Sequence, residues 1–112
     1  MTMKTAPTKT EPHSTYEVTA EVWRYAGEAG WHFITLPADI ADEVQARCAG
    51  AHRPFGSLPI RATIGSTTWA TSLFKDKKSG SYVLPVNADV RRQERIDDGQ
   101  TASVRFALEV GR

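Results

Sequence analysis

With 112 residues, of which 40% are hydrophobic and 24% charged, the chain has the size and composition of one globular domain. Its 14 basic and 13 acidic side chains leave a net charge of +1, which excludes a strong overall attraction to nucleic acid or to a membrane. The single cysteine, Cys48, excludes an internal disulfide, and the apolar runs are too short for a signal peptide or a membrane span. We therefore expect a cytoplasmic protein that folds without a disulfide or a structural metal.

The first fourteen residues contain Thr, Lys, Pro and Glu without apolar periodicity, which is typical of disorder. We predict a disordered tail over residues 1–14 and a single folded domain over residues 15–112. From Tyr16 to Val22 apolar and polar residues alternate, and after a glycine-containing turn residues 31–36 alternate again. Both segments are therefore predicted strands.

A helix is predicted after the second strand. Pro37 can begin it, because the N–H that proline lacks would have no helical partner at that position. Ile40, Val44 and Cys48 recur every four residues and give the helix one apolar stripe, and Gly50 ends it. We therefore interpret Cys48 as a small buried side chain rather than as a nucleophile.

Gly65-Ser66 predicts a tight hairpin turn, because glycine supplies the positive φ that the first central position of a type II′ turn requires. The turn fixes the register of its two strands: Ile64 lies opposite Thr67, and Ala62 lies opposite Trp69. Directly opposed residues share a face of the sheet. Trp69 is therefore predicted to lie on the core face with Ala62.

The remaining elements are a strand, a short helix and a last strand. A charged turn over residues 75–80 leads into a predicted strand over residues 82–86. Asn87 or Asp89 can cap a helix that ends near Glu94, because both side chains accept hydrogen bonds from backbone N–H groups one turn later. After a turn that ends at Gly99, residues 101–110 alternate cleanly and predict the last strand.

The two halves of the chain have the same order of elements: strand, turn, strand ending in Leu-Pro, helix, strand. The pairs Leu36-Pro37 and Leu84-Pro85 lie 48 residues apart, within the range of repeated supersecondary units. An internal β-β-α-β duplication and a chance repetition both fit so few identities. In either case the pattern predicts a mostly β fold, a six-stranded closed or nearly closed barrel with two short helices.

Several short motifs occur together in this order: Tyr16 to Trp23, Leu36-Pro37, Phe55-Gly56, Ala62-Thr63-Ile64, Trp69 to Leu73, Gly80-Ser81-Tyr82, Leu84-Pro85-Val86, Val90-Arg91-Arg92 and Gly99. The set resembles the bacterial and archaeal family known as domain of unknown function 1905. The resemblance implies a small barrel related to the double-split barrels of AbrB-like and MazE-like DNA-binding proteins. Relatives sometimes carry it fused to a module linked to bacteriocin protection. It implies no activity, cofactor or catalytic residue.

Two positions depart from that family pattern. Relatives usually have aspartate after the last turn glycine, where this chain has Gln100, which weakens any charge-assisted pairing with Arg91. Relatives often have a basic residue where this chain has Ala70.

Residue patterns that support catalysis are missing from the sequence. We interpret His32 as a structural core histidine, because no other His, Cys or carboxylate stands at metal-ligand spacing from it. No serine lies in a glycine-flanked elbow, and no glycine-rich loop precedes a helix. We therefore expect no enzymatic activity, no metal and no cofactor.

The candidate contact residues are aromatic and basic. Trp23 and Trp31 lie opposite the aliphatic faces of their strands, so they either form a contact surface or are covered by helices; we expect helix cover. The basic candidates are Lys75, Lys77 and Lys78 in the charged turn and Arg91, Arg92 and Arg95 on or just after the second helix. They form either a solvated charged surface or a contact for an anion or a nucleic acid.

We expect a non-catalytic binding or protein-interaction module with an unidentified protein partner and no membrane contact. AbrB-like nucleic-acid binding is the alternative, and we expect it to be weak or absent because basic and acidic charges cancel. A small ligand inside the barrel is the other alternative. We rank it last, because side chains such as Trp69 and Phe106 should fill the interior of a barrel of six short strands.

Overall fold

The computed structural model describes residues 15–27, 30–47 and 57–109. The predicted tail over residues 1–14, the buried position predicted for Cys48 and the end of the last predicted strand lie outside these residues. The elements are β1 (Thr15–Arg24), β2 (His32–Thr35), α1 (Ala38–Arg47), β3 (Ser57–Ile64), β4 (Thr67–Asp76), β5 (Ser81–Pro85), α2 (Ala88–Glu94) and β6 (Thr101–Leu108).

The six strands close into an antiparallel barrel in the order β1-β2-β5-β4-β3-β6. Each strand pairs with two others, so every strand of the barrel has a hydrogen-bonded neighbour on both sides for at least part of its length. The predicted mostly β barrel with two helices is confirmed.

The strand order has an internal twofold symmetry. Exchanging β1, β2 and β3 for β4, β5 and β6 leaves every pair of neighbours in the barrel unchanged. β2 and β5 pair with each other across this symmetry, with Ile34 opposite Leu84, and Leu36 N–H donates to Tyr82 O at 3.0 Å. The repeat seen in the sequence therefore corresponds to equivalent positions in the barrel.

The core consists of the alternate side chains that the strand patterns predicted. The largest fully buried ones on the strands are Val22, Ile34, Leu58, Ile60, Leu73, Leu84, Val104 and Phe106. The Phe106 ring packs against Tyr16 with 5.4 Å between ring centroids. Alternation with a period of two gives each strand one apolar face, and closure turns all of those faces inward.

The hairpin between β3 and β4 has the predicted register, with Ile64 opposite Thr67 and Ala62 opposite Trp69. Gly65 has a φ of 58°, whereas Ser66 does not have a positive φ, which is the sign pattern of a type II′ turn. Trp69 packs against the core from the predicted side but is only half-buried. At this point β4 pairs with β3, whereas β5 pairs with β4 only from Phe74 onward.

The helices lie outside the barrel, α1 mainly against β5 and α2 mainly against β4. Val44 and Ala41 of α1 are buried and Ile40 is half-buried, as an apolar stripe requires. Asn87 caps α2, because its Oδ1 accepts a hydrogen bond from Val90 N–H at 2.9 Å. Neither helix, in the part of the chain that the structure describes, has the length and apolar content needed to cross a membrane.

Candidate binding surface

Four aromatic residues lie together on the outer side of the hairpin formed by β1 and β2. Trp23 lies directly opposite Phe33, and Tyr25 N–H donates to the carbonyl oxygen of Trp31 at 2.7 Å. Because opposed residues share a face, the four side chains point to the same side of the sheet. We refer to Trp23, Tyr25, Trp31 and Phe33 as the aromatic face.

Phe33 is the centre of the aromatic face. Its ring centroid lies 5.2 Å from that of Trp23, 6.1 Å from that of Trp31 and 6.5 Å from that of Tyr25. These distances are within the range of favourable ring pairs. Trp23 is also held by its indole N–H, which donates to Thr35 Oγ1 at 2.8 Å. The rings therefore form one connected cluster.

Two rings of this cluster are strongly exposed, since Tyr25 has 56% and Trp31 has 53% of its surface accessible. The expectation that a helix covers Trp31 is wrong. The two helices have their main contacts with β5 and β4, and not with the β1–β2 hairpin. Trp23 is half-buried, with the Phe33 ring and Thr35 as its neighbours. The aromatic face is therefore a contiguous apolar surface.

A cavity of about 220 Å³ opens beside the aromatic face. It exists because β2 pairs with β5, which brings the segment between β5 and α2 next to the start of β2. Phe33 lies opposite Pro85, and Val86 N–H donates to His32 O at 2.9 Å. Its lining comprises Gly30, Trp31, His32, Pro85, Val86, Asn87, Ala88 and Arg91. We refer to this space as the Arg91 cavity.

Arg91 is the charged residue of this cavity. The side chain is half-buried, and its Nε–H donates to Val86 O at 3.3 Å. Two of the described arginines have carboxylate partners, and the others do not: Arg61 lies 3.3 Å from Glu109, and Arg92 pairs with Asp89. Among the residues that the structure describes, Arg91 has no such partner. Its remaining guanidinium N–H groups are available to an anion.

His32 forms one wall of the Arg91 cavity. Its side chain is 8% exposed, and Nδ1 lies 2.8 Å from the carbonyl oxygen of Gly30. Nδ1 carries the hydrogen of this bond, because a carbonyl oxygen can only accept. A backbone-bonded, buried ring is what a structural histidine requires, so His32 shapes the cavity.

The sequence profile of the family described as Domain of unknown function (DUF1905) matches residues 19–106. The chain belongs to the DUF1905 family. The matched part contains the aromatic face and the residues that line the Arg91 cavity. No curated protein matches the chain.

The basic candidates of this DUF1905 chain lie in two separate places. Lys75 is on β4, with Lys77 and Lys78 in the turn after it, whereas α2 lies at the other end of β4, where Glu94 accepts from Thr67 Oγ1 at 2.6 Å. Thr67 and Lys75 are eight positions apart on β4, which corresponds to about 26 Å of extended strand. The structure therefore places Arg91 beside Trp31 and leaves the lysines apart.

Arg92 and Arg95 do not reach the Arg91 cavity. Arg92 is exposed and paired with Asp89, one turn earlier on α2. Arg95 is exposed at the end of α2, in a left-handed conformation with φ 58° and ψ 52°. Of the three arginines predicted as one group, only Arg91 lines the cavity.

Sequence reasoning missed Tyr25, Phe33 and Pro85 as members of the surface. The alternation of the second strand already placed Phe33 on the same side as Trp31, which was the available signal. The β1 residues opposite Trp31 and Phe33 could not be predicted. Five residues separate Tyr25 from Trp31, and a connection of that length does not fix the strand register as a two-residue turn does. The position of Pro85 depends on pairing between the two halves.

The second half of the DUF1905 barrel contains the equivalent of the aromatic face. The offset that relates Leu36 to Leu84 also relates Phe33 to Ser81 and Trp31 to Ser79. Trp23 lies opposite Phe33, and Asp76 lies opposite Ser81. Trp23, Trp31 and Phe33 thus correspond to the polar residues Asp76, Ser79 and Ser81.

These polar residues hold their hairpin together by hydrogen bonds. Asp76 Oδ2 accepts from Ser79 N–H at 3.1 Å and from Ser79 Oγ at 2.7 Å. Ser79 Oγ in turn accepts from Ser81 N–H at 3.2 Å. The second hairpin is therefore held by short polar side chains at positions where the first hairpin has aromatic rings.

A second cavity, of about 320 Å³, lies beside this polar hairpin and against α1. Among residues 15–27, 30–47 and 57–109, its charged lining consists of Asp42, Lys75, Asp76 and Lys77, so positive and negative side chains balance there. Tyr82 closes one side by donating its hydroxyl to Gln45 Oε1 at 2.8 Å. The two cavities thus differ in charge.

Proposed function

We propose that this DUF1905 domain is a non-catalytic binding module that contacts a partner protein through the aromatic face. The observation that carries the proposal is the contiguity of four rings, two of them more than half exposed. Aromatic residues are enriched in the buried centres of protein interfaces and often dominate their binding energy.

The internal comparison supports the same proposal. Folding stability alone does not explain exposed tryptophan and tyrosine side chains at this hairpin, because the equivalent hairpin is built from Asp76, Ser79 and Ser81. An exposed apolar surface carries a risk of non-specific association. A partner protein that covers the surface would explain why these rings are exposed in the isolated domain.

The area involved predicts the strength of the contact. If Tyr25 and Trp31 each lose about 100 Å² of accessible apolar surface, the gain is about 5 kcal/mol at about 25 cal/mol per Å². Association costs about 4 kcal/mol or more in lost translational and rotational freedom. The aromatic face is therefore the centre of an interface and needs contacts around it for stable binding.

The test is quantitative affinity capture with the full chain and two variants. Trp31→Ser removes the most central exposed ring, and Phe74→Ser is the matched control, because Phe74 is 40% exposed but lies on β4. Proteins retained by the wild type and by Phe74→Ser, and lost with Trp31→Ser, are then purified and titrated. We expect Trp31→Ser to weaken binding at least tenfold, about 1.4 kcal/mol, and Phe74→Ser to weaken it less than twofold. Equal binding by both variants would refute the proposal.

AbrB-like nucleic-acid binding is the second candidate, together with a relationship of this barrel to double-split barrels. A division of pairing along one strand supports that relationship: β1 pairs with β6 over residues 15–21 and with β2 over residues 22–24. Along β4 the pairing changes similarly, from β3 over residues 67–74 to β5 over residues 74–76. The distance between the two basic groups argues for weak duplex binding, about 10⁻⁴ M at physiological salt.

A salt-dependent titration with duplex DNA tests this second candidate. Submicromolar, sequence-dependent binding that weakens in the Arg91→Ala, Arg92→Ala double variant would place nucleic-acid binding first. No observation supports a ligand inside the barrel, because large side chains such as Phe106, Ile34 and Leu73 pack its interior.

A further inference from the structure

The guanidinium of Arg91 is oriented for an anion. Its Nε–H is fixed on the carbonyl oxygen of Val86, and its helix begins at the Asn87 cap. A guanidinium fixed in this way presents its terminal N–H groups as a planar fork, the geometry that pairs with a carboxylate through two parallel hydrogen bonds. No carboxylate of the residues that the structure describes occupies that fork.

The described surroundings of the fork carry no negative charge. The lining of the Arg91 cavity within residues 15–27, 30–47 and 57–109 includes no acidic side chain. The carboxylate of Asp89 on the same helix is occupied by Arg92. The lining of the second cavity, by contrast, includes two lysines and two aspartates.

The size and position of the cavity indicate what the anion is attached to. About 220 Å³ is smaller than the 300–1,000 Å³ of sites that enclose a drug-sized ligand, and it is large enough for the end of one side chain. Trp31 belongs both to its wall and to the aromatic face. A group seated on Arg91 is therefore continuous with whatever covers the rings.

We infer that the Arg91 cavity receives a carboxylate side chain of the partner protein, held by the Arg91 guanidinium, while neighbouring apolar residues of the partner cover Trp31. This inference rests on the proposed function and specifies the partner: it presents Asp or Glu beside apolar or aromatic residues. The contact supplies specificity, because a partner without the acid leaves Arg91 unpaired in a half-covered site.

The experiment uses 3-phenylpropionate, which joins one carboxylate to one ring, and its uncharged analogue 3-phenylpropanamide. Each is titrated into the ¹⁵N-labelled full chain while the Trp31 indole N–H and the Arg91 Nε–H signals are followed by NMR. We expect the acid to move both signals with half-saturation in the millimolar range, and the amide to bind at least fivefold more weakly. Equal binding of acid and amide, or no shift up to 20 mM acid, overturns the inference.

Arg91→Gln and Arg95→Gln provide the matched pair of variants, since each removes one positive charge from α2 or its C-terminal cap and Arg95 does not line the cavity. We expect Arg91→Gln to abolish the preference for the acid and Arg95→Gln to retain it. If both variants lose the preference for the acid equally, net charge alone explains that preference, and the inference is overturned. If Arg91→Gln does not fold, the acid-to-amide ratio on the wild type decides alone. Displacement of the acid by a lower concentration of inorganic phosphate would also overturn it, in favour of a phosphate site.

Failure of this inference is separate from failure of the proposed function. If Arg91→Gln leaves both probe and partner binding unchanged while Trp31→Ser still loses the partner, only the carboxylate contact is wrong. If Trp31→Ser leaves partner binding unchanged, the aromatic face is not the interface, whatever the probes show.

Discussion

Phe33 of β2 and Ser81 of β5 occupy equivalent positions in the two halves of the barrel, with opposite chemistry. Phe33 contacts three other rings, whereas Ser81 donates its N–H to Ser79 Oγ and its hydroxyl to Leu36 O at 2.9 Å. The barrel accepts both solutions at the same place in its topology. One molecule thus contains both a polar and an aromatic version of the same hairpin. Comparing the two helps to distinguish residues that the fold requires from residues that are available for binding.

Phe33→Ser converts the aromatic hairpin toward its polar equivalent, and we expect the barrel to remain folded. The loss of stability should be about 1–2 kcal/mol, because Phe33 is only half-buried and gives up ring contacts rather than core volume. Trp23 and Trp31 lose their shared neighbour, so tryptophan fluorescence should shift to longer wavelength. Urea denaturation measures the first effect and emission spectra the second.

The control for this prediction is Phe74→Ser, which removes an exposed ring outside the aromatic face and should leave the emission spectrum nearly unchanged. A loss above about 4 kcal/mol for Phe33→Ser, the range of core truncations, would show that the fold depends on this ring.

Arg95→Gly should stabilise the protein. Arg95 ends α2 with φ 58° and ψ 52°, a left-handed conformation in which a side chain is strained and glycine is not. We expect a gain of about 0.5–1 kcal/mol in the free energy of unfolding, measured by urea denaturation. Arg95→Ala removes the same charge without relieving the backbone, so equal effects of the two substitutions would contradict the explanation.

Asn87→Ala should destabilise the protein by about 1 kcal/mol, because the first turn of α2 loses the acceptor for Val90 N–H. Asn87→Asp and Asn87→Ser keep an acceptor and should retain most of the stability. Since α2 carries Arg91, Asn87→Ala should also weaken the binding of 3-phenylpropionate. Thermal unfolding of the three variants, with the same titration, checks both effects. A cap without energetic value would leave all three equal to the wild type.

The features of this fold that sequence could predict depend on short-range rules. The two-residue turn at Gly65-Ser66 fixed the register from Ile64↔Thr67 onward, and alternation identified the core faces of the strands. The choice between Asn87 and Asp89 as the cap was open in the sequence; the structure assigns it to Asn87, and Asp89 pairs with Arg92.

The features that sequence could not predict depend on long-range packing. The exposure of Trp31 was decided by where the helices dock, against β5 and β4, and no local pattern specifies that choice. Arg91 and Trp31 line the same cavity because β2 pairs with β5, and this pairing joins the two halves of the chain. Trp69 is on the predicted side, but the short pairing between β4 and β5 leaves it half-buried.

Gly65 is a position where two physical effects of one substitution can be separated. Its φ of 58° is unfavourable for any side chain, and a Cβ placed there would overlap the carboxylate of Glu94, with Cδ at 2.9 Å. Glu94 has little freedom to move away, because its Oε2 accepts the Thr67 hydroxyl at 2.6 Å. We therefore expect Gly65→Ala to cost about 2–3 kcal/mol, of which about 1 kcal/mol is backbone strain.

A double-mutant cycle with Glu94→Ala tests that division. In the Glu94→Ala background the overlap is gone, so Gly65→Ala should cost only the strain of the positive φ, about 1 kcal/mol, and the remainder should appear as coupling between the two sites. Urea denaturation of the four proteins gives the coupling directly. The same cost of Gly65→Ala in both backgrounds would mean that Glu94 yields without penalty. The turn would then be the only reason for glycine at this position.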